Sequence, residues 1–343
     1  MPCTAISFQD LHIADRGPPY RKDDYHAAVQ SKLEQIQLIS QRLRTEATFN
    51  CGDLFNSKQP MKNSHALVQQ AIDFLKGLSG KSYSIVGNHD ITKDALESLS
   101  KQPMGTVLKS GVTLRAERDY SLGLGHDFYN GEDCTCFVAG IDFRRGIQEV
   151  REKLDRLNNL PLYDSFGRRM WVTVLLHQYA NPGNPGSMFG EESLGYEELK
   201  ESRIDVFCMG HDHAQYGCIE LAPNKYIIRP GSPIRGSIAQ EDIRRQPAIA
   251  IIKYNKDTIQ AQTCLLKHTP SEEIFDFVLK QEQAEKKQEE NQFIEALNNT
   301  EADEGVNLWD WLQQKDMSNA VRSKVHSLLT ENQVVREGAE VAV

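Results

Sequence analysis

Nine residues whose side chains can bind a metal ion or transfer a proton each follow a short apolar run of the chain. They are Asp10, His12, Asp53, Asn88, His89, Asp90, His177, His211 and His213. Carboxylates, imidazoles and amide oxygens bind Mn²⁺, Fe²⁺ or Zn²⁺ without any thiolate. Two such ions held ~3.5–4 Å apart need one bridging carboxylate and about three further ligands each. The set is large enough to supply them, so it predicts a two-metal site.

Each motif taken alone has an ordinary structural explanation. Asp10 could cap a strand end, a Gly-Asn pair is common in turns, and a lone His177 is more often a buried, hydrogen-bonded imidazole than a ligand. His211 and His213 are more suggestive, because an extended segment would place both rings on one face. The ordered set D-x-H, G-D, G-N-H-D, H and G-H-x-H, with each motif after a strand-like run, indicates one shared site.

The elements that must position these side chains alternate between strands and helices. Apolar runs predict strands at 4–8, 48–51, 82–86, 136–141, 171–176 and 206–209, and helical spacing predicts helices at 25–44 and 65–78. This alternation is typical of an α/β core. Ligands bind beyond the carboxyl ends of strands in open α/β sheets, which is where the nine residues lie.

The ordered set resembles the calcineurin-like metallophosphoesterase superfamily over roughly residues 4–235. The resemblance implies a four-layer α/β/β/α sandwich and a metal-activated water that attacks phosphorus in line. It implies that Asp10, His12, Asp53 and His213 hold one metal ion, and that Asp53, Asn88, His177 and His211 hold the second. His89 would stabilise the transition state or protonate the leaving oxygen, with Asp90 orienting its ring.

The sequence between and around the motifs resembles that of the SbcD family of DNA nucleases. The similar stretches are GDLFNSKQP (52–60), TVLLHQ (173–178), MGHDH (209–213) and RPGSP (229–233). Serine/threonine phosphatases would instead show G-D-x-x-D-R-G and G-N-H-E. One departure is Asn56, where members of the nuclease family often have His or Asp. The resemblance implies a DNA exonuclease or endonuclease with two divalent ions, taken as manganese; the alternatives are a nucleotide or small-molecule phosphodiesterase and a non-catalytic binding scaffold.

The negative charge of the chain lies in its last part. Residues 271–343 hold 16 Asp+Glu against 7 Lys+Arg, so they carry the whole net charge of −9 and residues 1–270 are neutral. We therefore expect a nuclease domain at 1–270, with at most a vestigial cap near 236–270, and an acidic linker with helices at 271–343. Apolar side chains recur at helical spacing in that segment: Ile274, Phe277 and Val278; Phe293, Ile294 and Leu297; Leu308, Trp311 and Leu312; Val321, Val325, Leu328 and Leu329.

The resemblance also implies partners. In the SbcD family a C-terminal helical pair binds the coiled-coil root of an SbcC-type ABC ATPase, and aromatic anchors such as Trp309 and Trp311 would suit such docking. The alternative is that these helices fold back on the catalytic domain. A homodimer through helix 65–78 is implied by resemblance alone, and DNA is the implied substrate.

Several remaining features exclude or favour whole classes of protein. No apolar run is long enough for a membrane span, and the first eleven residues do not resemble a signal peptide. The seven cysteines include no C-x-x-C pair, which favours reduced thiols and a cytoplasmic location, or a host cytoplasm for a viral protein. Seven basic residues could contact DNA phosphates or could be solvated surface. They are Arg16, Lys22, Lys58, Lys62, Arg144, Arg145 and Arg235. Segments 123–133 and 179–190 are expected to be loops, the second lying over the site.

Overall fold

The structure is a computed structural model that describes residues 2–117, 126–188, 190–299, 323 and 327. The chain divides into two units, Met1–Phe275 and Asp276–Val343. The first unit contains every predicted site residue. The second begins with a 23-residue helix, and the apolar stripes predicted beyond residue 300 lie outside the described residues.

Fifteen strands and eight α-helices are described. The strands are β1 (Cys3–Phe8), β2 (Ala47–Asn50), β3 (Lys81–Ser84), β4 (Leu114–Arg115), β5 (His126–Asn130), β6 (Cys134–Ile141), β7 (Arg169–His177), β8 (Ala180–Asn181), β9 (Gly186–Met188), β10 (Glu191–Gly195), β11 (Val206–Gly210), β12 (Gly217–Ala222), β13 (Lys225–Arg229), β14 (Ala248–Tyr254) and β15 (Ile259–Leu265). The helices are α1 (Tyr25–Leu43), α2 (His65–Lys76), α3 (Pro103–Lys109), α4 (Ile147–Leu157), α5 (Tyr196–Glu201), α6 (Gln240–Arg244), α7 (Ser271–Ile274) and α8 (Phe277–Asn299).

Two six-stranded sheets form the centre of the first unit. One has the order β15-β14-β1-β2-β3-β4 and the other the order β12-β13-β11-β7-β6-β5. Strands β1 to β4 are parallel, as are β6, β7, β11 and β13, while the strands added at the edges are antiparallel. The carboxyl ends of the parallel strands in each sheet therefore meet at one edge, as the sequence predicts for the site.

The two sheets pack face to face, and helices cover both outer faces. Phe49 and Tyr83 of the first sheet share a buried cluster with Cys136 and Trp171 of the second. Helices α1 and α2 bury their apolar faces against the first sheet, and α4 and α5 cover the second. The predicted four-layer α/β/β/α sandwich is confirmed.

The two predicted helices begin where the sequence places them because each has an N-cap. The side chain of Asp24 accepts the Ala27 N–H of α1 at 3.0 Å, and that of Ser64 accepts the Leu67 N–H of α2 at 3.1 Å. The buried residues of each helix lie on a single face, which matches the spacing seen in the sequence.

Three segments contain more regular secondary structure than the sequence predicts. Residues 126–130 were expected to lie in a loop, but they form the edge strand β5. Strands β8 and β9, which lie within the segment 179–190 expected to be a loop over the site, form a small sheet with β10 in the order β8-β10-β9. Residues 236–270, where the sequence allows at most a vestigial cap, contain α6 and the strands β14 and β15 that complete the first sheet. Among the described residues, no helix is long and apolar enough to cross a membrane.

Candidate metal centre

Four of the predicted metal-binding residues have a left-handed backbone just beyond the end of a strand. The φ angle is +50° at Asp10, +45° at His12, +51° at Asp53 and +87° at His211. Residues with side chains rarely adopt this conformation, which costs about 1–3 kcal/mol each and is concentrated at functional sites. The chain therefore turns sharply at the ends of β1, β2 and β11, and the side chains enter one cleft.

The cleft has a volume of about 420 Å³ and is lined by residues from both sheets, among them Asp53, Asn88, His89, His211 and His213. The sequence predicted that His211 and His213 would share a face because of an extended backbone. They do share the cleft, but the extended backbone was wrong: His211 lies in a turn beyond β11, where the left-handed conformation redirects the chain.

At one position of the cleft, four acceptor atoms converge. His177 Nδ1 donates to the carbonyl of Cys51 at 2.8 Å, so in the neutral ring Nε2 presents a lone pair 3.0 Å from Asn88 Oδ1 and 3.3 Å from Asp53 Oδ2. His211 Nε2 donates to Glu191 at 3.1 Å, so its Nδ1 presents a lone pair 3.1 Å from the same amide oxygen. Acceptors this close repel one another unless a cation lies among them, so the donor set fits a divalent metal ion.

The neighbouring position gathers the remaining ligands. His12 Nε2 lies 2.9 Å from His213 Nε2 and 3.5 Å from Asp53 Oδ2. Candidate ligand atoms of Asp10, His12 and His213 all lie within 4.8 Å of one another, as do those of Asp10, Asp53 and His177. The buried His12 Nδ1 has no hydrogen-bond partner among the described residues. Asp53 is shared by both positions, as expected of a bridging carboxylate.

The electrostatics of the cleft favour a positive charge beside Asp53. Burial opposes a charge on His177, but Asp53 outweighs it and raises the pKa of His177 to about 10, so a metal ion binding at Nε2 would displace a proton that Asp53 holds there. Burial likewise opposes a charge on Asp53, yet His177 holds the pKa of Asp53 well below its usual range. Burial and the charge of His177 lower the pKa of His211 to about 3, so His211 is neutral, as a metal ligand must be.

The ring of His89 is oriented by main chain rather than by a carboxylate. His89 Nδ1 donates to the carbonyl oxygen of Asn56 at 2.7 Å, and the ring packs edge-on against His12 with centroids 4.7 Å apart. The prediction that Asp90 orients His89 is therefore wrong. The Asn56 departure leaves the ring anchored, because the anchoring atom belongs to the backbone.

Asp90 holds together the loops that carry the ligands. It is buried, and its Oδ2 accepts the main-chain N–H groups of Asp53 and Gly87, each at 3.0 Å. Burial and the charge of Asp53 raise the pKa of Asp90 to about 7. Asp90 therefore fixes the turn after β2 against the turn after β3, in place of its predicted contact with His89.

Residues 10–215 match the calcineurin-like phosphoesterase family, and this segment holds all nine predicted site residues. The chain belongs to that family. It is therefore a metal-dependent phosphoesterase, as the site geometry indicates.

The phosphoesterase is also similar to two proteins described as DNA double-strand break repair protein Mre11. It is 28% identical to the Methanococcus maripaludis protein over 185 residues, which cover 52% of this chain and 46% of the relative. It is 24% identical to the Methanocaldococcus jannaschii protein over 209 residues, which cover 59% of this chain and 50% of the relative. The chain thus spans about half the length of these relatives.

A solved structure has the same fold. It is a Staphylococcus aureus protein described as a candidate 5′-nucleotidase in complex with α-ketoglutarate, with 14% sequence identity and a TM-score of 0.50. The match covers 79% of this chain and 55% of the other. At this identity the likeness concerns the fold alone.

The sequence did not identify the residues that contact the metal-binding segments of the phosphoesterase from outside the cleft. Arg229 is buried, pairs with Asp212 between the two histidines, and donates to the Ala180 carbonyl at 2.9 Å. Ser232 Oγ donates to the carbonyl of Asp10 at 2.7 Å. Both residues lie in the RPGSP stretch, which was the available signal. Glu191 had no comparable signal, since it lies outside every motif.

Two of the seven basic residues proposed as phosphate contacts, Arg144 and Arg235, have structural roles. Arg144 pairs with Glu117 at 2.7 Å and with Glu149 at 2.6 Å. The buried Arg235 donates to main-chain carbonyls. Lys58 and Arg145 both pair with Asp94, at 3.6 and 3.9 Å.

Proposed function

We propose that this phosphoesterase is a two-metal-dependent DNA nuclease of the SbcD type that acts with an ATPase partner in processing DNA ends. The convergence of Asp53, Asn88, His177 and His211 on one position carries the metal-dependent hydrolysis. The similarity to Mre11 proteins, although limited to about half their length, supports DNA as the substrate.

The residues of the site would have two kinds of role in hydrolysis: seven would hold the metal ions, and His89 would act on the phosphate. Two divalent ions, when bound, would supply charge to the phosphate and acidify a water molecule. Asp10, His12, Asp53 and His213 would hold one, and Asp53, Asn88, His177 and His211 the other. His89 lines the cleft with its Nδ1–H fixed on the Asn56 carbonyl, so in the imidazolium form its Nε2–H would stabilise the transition state or protonate the leaving oxygen. We propose manganese as the metal, because carboxylate, amide and imidazole ligands accept it.

The His89→Ala substitution tests the role of this residue. We expect the variant to retain two metal ions per chain but to cut DNA roughly 10²–10⁴-fold more slowly, the usual contribution of a positioned proton donor. The measurements are metal content by elemental analysis and turnover of a labelled DNA duplex with Mn²⁺. His26→Ala, at an exposed position of α1, is the control. Wild-type DNA cutting by His89→Ala would exclude the assigned role.

A nucleotide or small-molecule phosphodiesterase is the alternative, and the cleft volume of about 420 Å³ suits such a ligand. The same metals would serve both activities. A Mn²⁺-dependent assay distinguishes them, because a nuclease degrades DNA whereas the alternative enzyme hydrolyses only a chromogenic phosphodiester. Activity on the chromogenic compound alone would reject the DNA nuclease.

We propose that the second unit, Asp276–Val343, binds an SbcC-type ABC ATPase, and that the full chain forms a homodimer through α2. Free thiols at all seven cysteines support the proposed location in a reducing cytoplasm. Removal of residues 276–343 should abolish co-purification with the ATPase while the metal centre remains intact. Retained co-purification would reject this docking site.

A further inference from the structure

A second cavity lies between α1, the loop at 233–235 and the end of β15. Its volume is about 360 Å³, and it shares no lining residue with the metal cleft. Five of its lining residues carry a formal charge: Arg21, Asp23, Lys32, Arg235 and Lys267. Four of the five are cations, drawn from three separate segments of the chain.

Asp23 neutralises only one of these cations. It pairs with Arg21 through two hydrogen bonds of 2.8 and 2.6 Å. The donors of Arg235 instead go to neutral main-chain carbonyls at 2.8–3.1 Å, and Lys32 Nζ also donates to a carbonyl. Among the described residues, no carboxylate lies within ion-pair distance of Lys32, Arg235 or Lys267. Three cations of the cavity therefore have no ion-pair partner among the described residues, and the more distant Asp242 and Glu272 offset part of the charge of Arg235.

These like charges are close enough to repel one another. Burial, together with the charges of Arg235 and Arg21, lowers the pKa of Lys32. Burial and the charge of Arg245 behind the cavity lower the pKa of Arg235. A bound anion would relieve this repulsion, and ammonium and guanidinium groups form their strongest hydrogen bonds with phosphate or carboxylate oxygens.

The rest of the lining includes the polar Ser31, His268 and Thr269, but most of it is apolar and suits the organic part of a ligand. Val29, Ile234 and Ile274 contribute side chains, and Pro233 and Pro247 contribute rings. A volume of about 360 Å³ lies within the range of pockets that hold small organic molecules. A phosphate carried on a nucleoside matches both the cationic and the apolar parts of the lining.

The cavity lies at the same end of the first sheet as the metal centre. Strand β14 runs antiparallel to β1 with Ser7 opposite Ala250, and β15 runs antiparallel to β14 with Ala248 opposite Leu265. The end of β15 and Lys267 beyond it therefore lie beside the carboxyl end of β1, where Asp10 follows. Ser232, which bonds Asp10, directly precedes the loop that lines the cavity.

We propose that this cavity binds the phosphate of a nucleotide unit through Lys32 and Lys267, with the sugar or base against the apolar wall. The nucleotide unit is either part of a DNA strand held at the metal centre or a free mononucleotide. The choice of a nucleotide among organic phosphates depends on the proposed nuclease function; the anion site itself does not.

The test compares two double substitutions in the metal-loaded full chain. Lys32→Gln/Lys267→Gln removes two cavity charges, and Lys81→Gln/Lys256→Gln removes two exposed charges near the amino ends of the parallel strands, where β3 begins and where the chain turns from β14 to β15. The probes are a phosphorothioate DNA duplex that resists cleavage, measured over a range of salt concentrations, and dAMP, measured by calorimetry. Lys32→Arg/Lys267→Arg, which keeps both charges, should restore binding.

We expect the cavity variant to lose about tenfold in DNA affinity at low salt. Its plot of log affinity against log salt concentration should become shallower by about one unit for each lost phosphate contact. The control should match the wild type, and hydrolysis of a chromogenic phosphodiester should be unchanged in all variants. Arg235 is left intact because it holds three main-chain bonds.

The outcomes separate the two sources of phosphate and the two proposals. A loss of DNA affinity supports a DNA strand as the source, and a loss of dAMP binding alone supports a free nucleotide. Unchanged affinity for both probes would overturn the cavity proposal even if the protein cuts DNA. A wild-type chain that cuts no DNA would reject the nuclease, while the dAMP measurement would still decide the cavity.

Discussion

At the scale of single residues, the cleft is organised by the hydrogen bond on the far side of each imidazole. His177 is fixed by the carbonyl of Cys51, His89 by that of Asn56 and His211 by the carboxylate of Glu191. Such outer partners set which ring nitrogen keeps its lone pair and often change metal affinity 10–100-fold. Glu191 is the one of these three that a side-chain substitution can remove.

The Glu191→Ala substitution should therefore weaken one metal position selectively. We expect the affinity for the second Mn²⁺ to fall about 10–100-fold, because the ring of His211 loses the acceptor of its Nε2–H. Glu191→Gln should have a smaller effect, since its amide oxygen can still accept that proton. Calorimetric titration of the full chain with Mn²⁺ measures both, and Glu192→Ala, at the exposed neighbouring position, is the control. Equal affinities in all four proteins would show that Glu191 has no such role.

A buried carboxylate away from the ligands gives a prediction about pH. Asp142 accepts the Val86 N–H at 2.8 Å and pairs with Arg115, and burial together with Glu117 raises the pKa of Asp142 to about 6. The folded state thus binds this proton more tightly than the unfolded state, whose carboxyl has a pKa of about 3.9. The stabilisation is complete below pH 4 and is lost as the pH rises through 6.

The Asp142→Asn substitution should remove that dependence. Two pKa units correspond to roughly 3 kcal/mol, so the wild-type unfolding free energy should decrease by up to that amount between pH 4 and pH 7 from this group. Urea unfolding at several pH values, followed by fluorescence, measures the slope in both proteins. Parallel pH profiles for wild type and variant would contradict the assignment.

At the scale of elements, the site is formed by the turns at the ends of the strands. Two glycines, Gly87 and Gly210, allow these turns to pack closely against each other. A Cβ added at Gly87 would overlap Asp53 Oδ1, and one added at Gly210 would overlap the carbonyl of Cys51 that anchors His177. The turns after β2 and β3 can touch only because residue 87 has no side chain. This contact places the bridging carboxylate within reach of both metal positions.

The Gly87→Ala substitution should therefore displace the bridging carboxylate. We expect at least a tenfold loss of affinity for both Mn²⁺ ions and a fall of about 1–3 kcal/mol in unfolding free energy, as is usual for overpacking. Mn²⁺ titration and urea unfolding measure the two effects. Gly236→Ala, where a Cβ meets nothing within 4 Å, is the control. Unchanged Mn²⁺ affinity in Gly87→Ala would show that the two turns can separate without loss of the site.

The sequence is informative about buried elements and weak about edges and main-chain partners. Most central strands were predictable because they are apolar runs that end at a polar residue. Strand β3, with the sequence KSYS, was recognised by the Ile85 and Val86 that follow it. Strand β5 was not, since it is a half-exposed edge strand with glycines before and after it. The Asn56 carbonyl could not be predicted either, because any residue offers the same main-chain acceptor and only the turn geometry selects this one.

At the scale of the whole molecule, the catalytic unit needs more of the chain than the motifs occupy. Strand β14 pairs with β1, the strand that leads to Asp10, so the chain must return to the first sheet after His213, the last of the predicted metal ligands. The compact unit then ends at Phe275, which is fully buried beside Ile238 and Ile274. This end lies beyond Pro270, where the shift in charge alone would place it.

Two truncations test where the catalytic unit ends. A chain of residues 1–275 should bind Mn²⁺ as the full chain does and unfold within about 4 °C of it, a difference worth roughly 1 kcal/mol in a domain of this size. A chain of residues 1–270 lacks Ile274 and Phe275, and loss of a buried phenylalanine alone costs about 3–5 kcal/mol. Its unfolding midpoint should therefore be at least about 6 °C lower, as measured by calorimetry. Because the two chains differ by five residues remote from the metal ligands, equal midpoints would show that residues 271–275 do not belong to the core, and the compact unit would then end at Pro270.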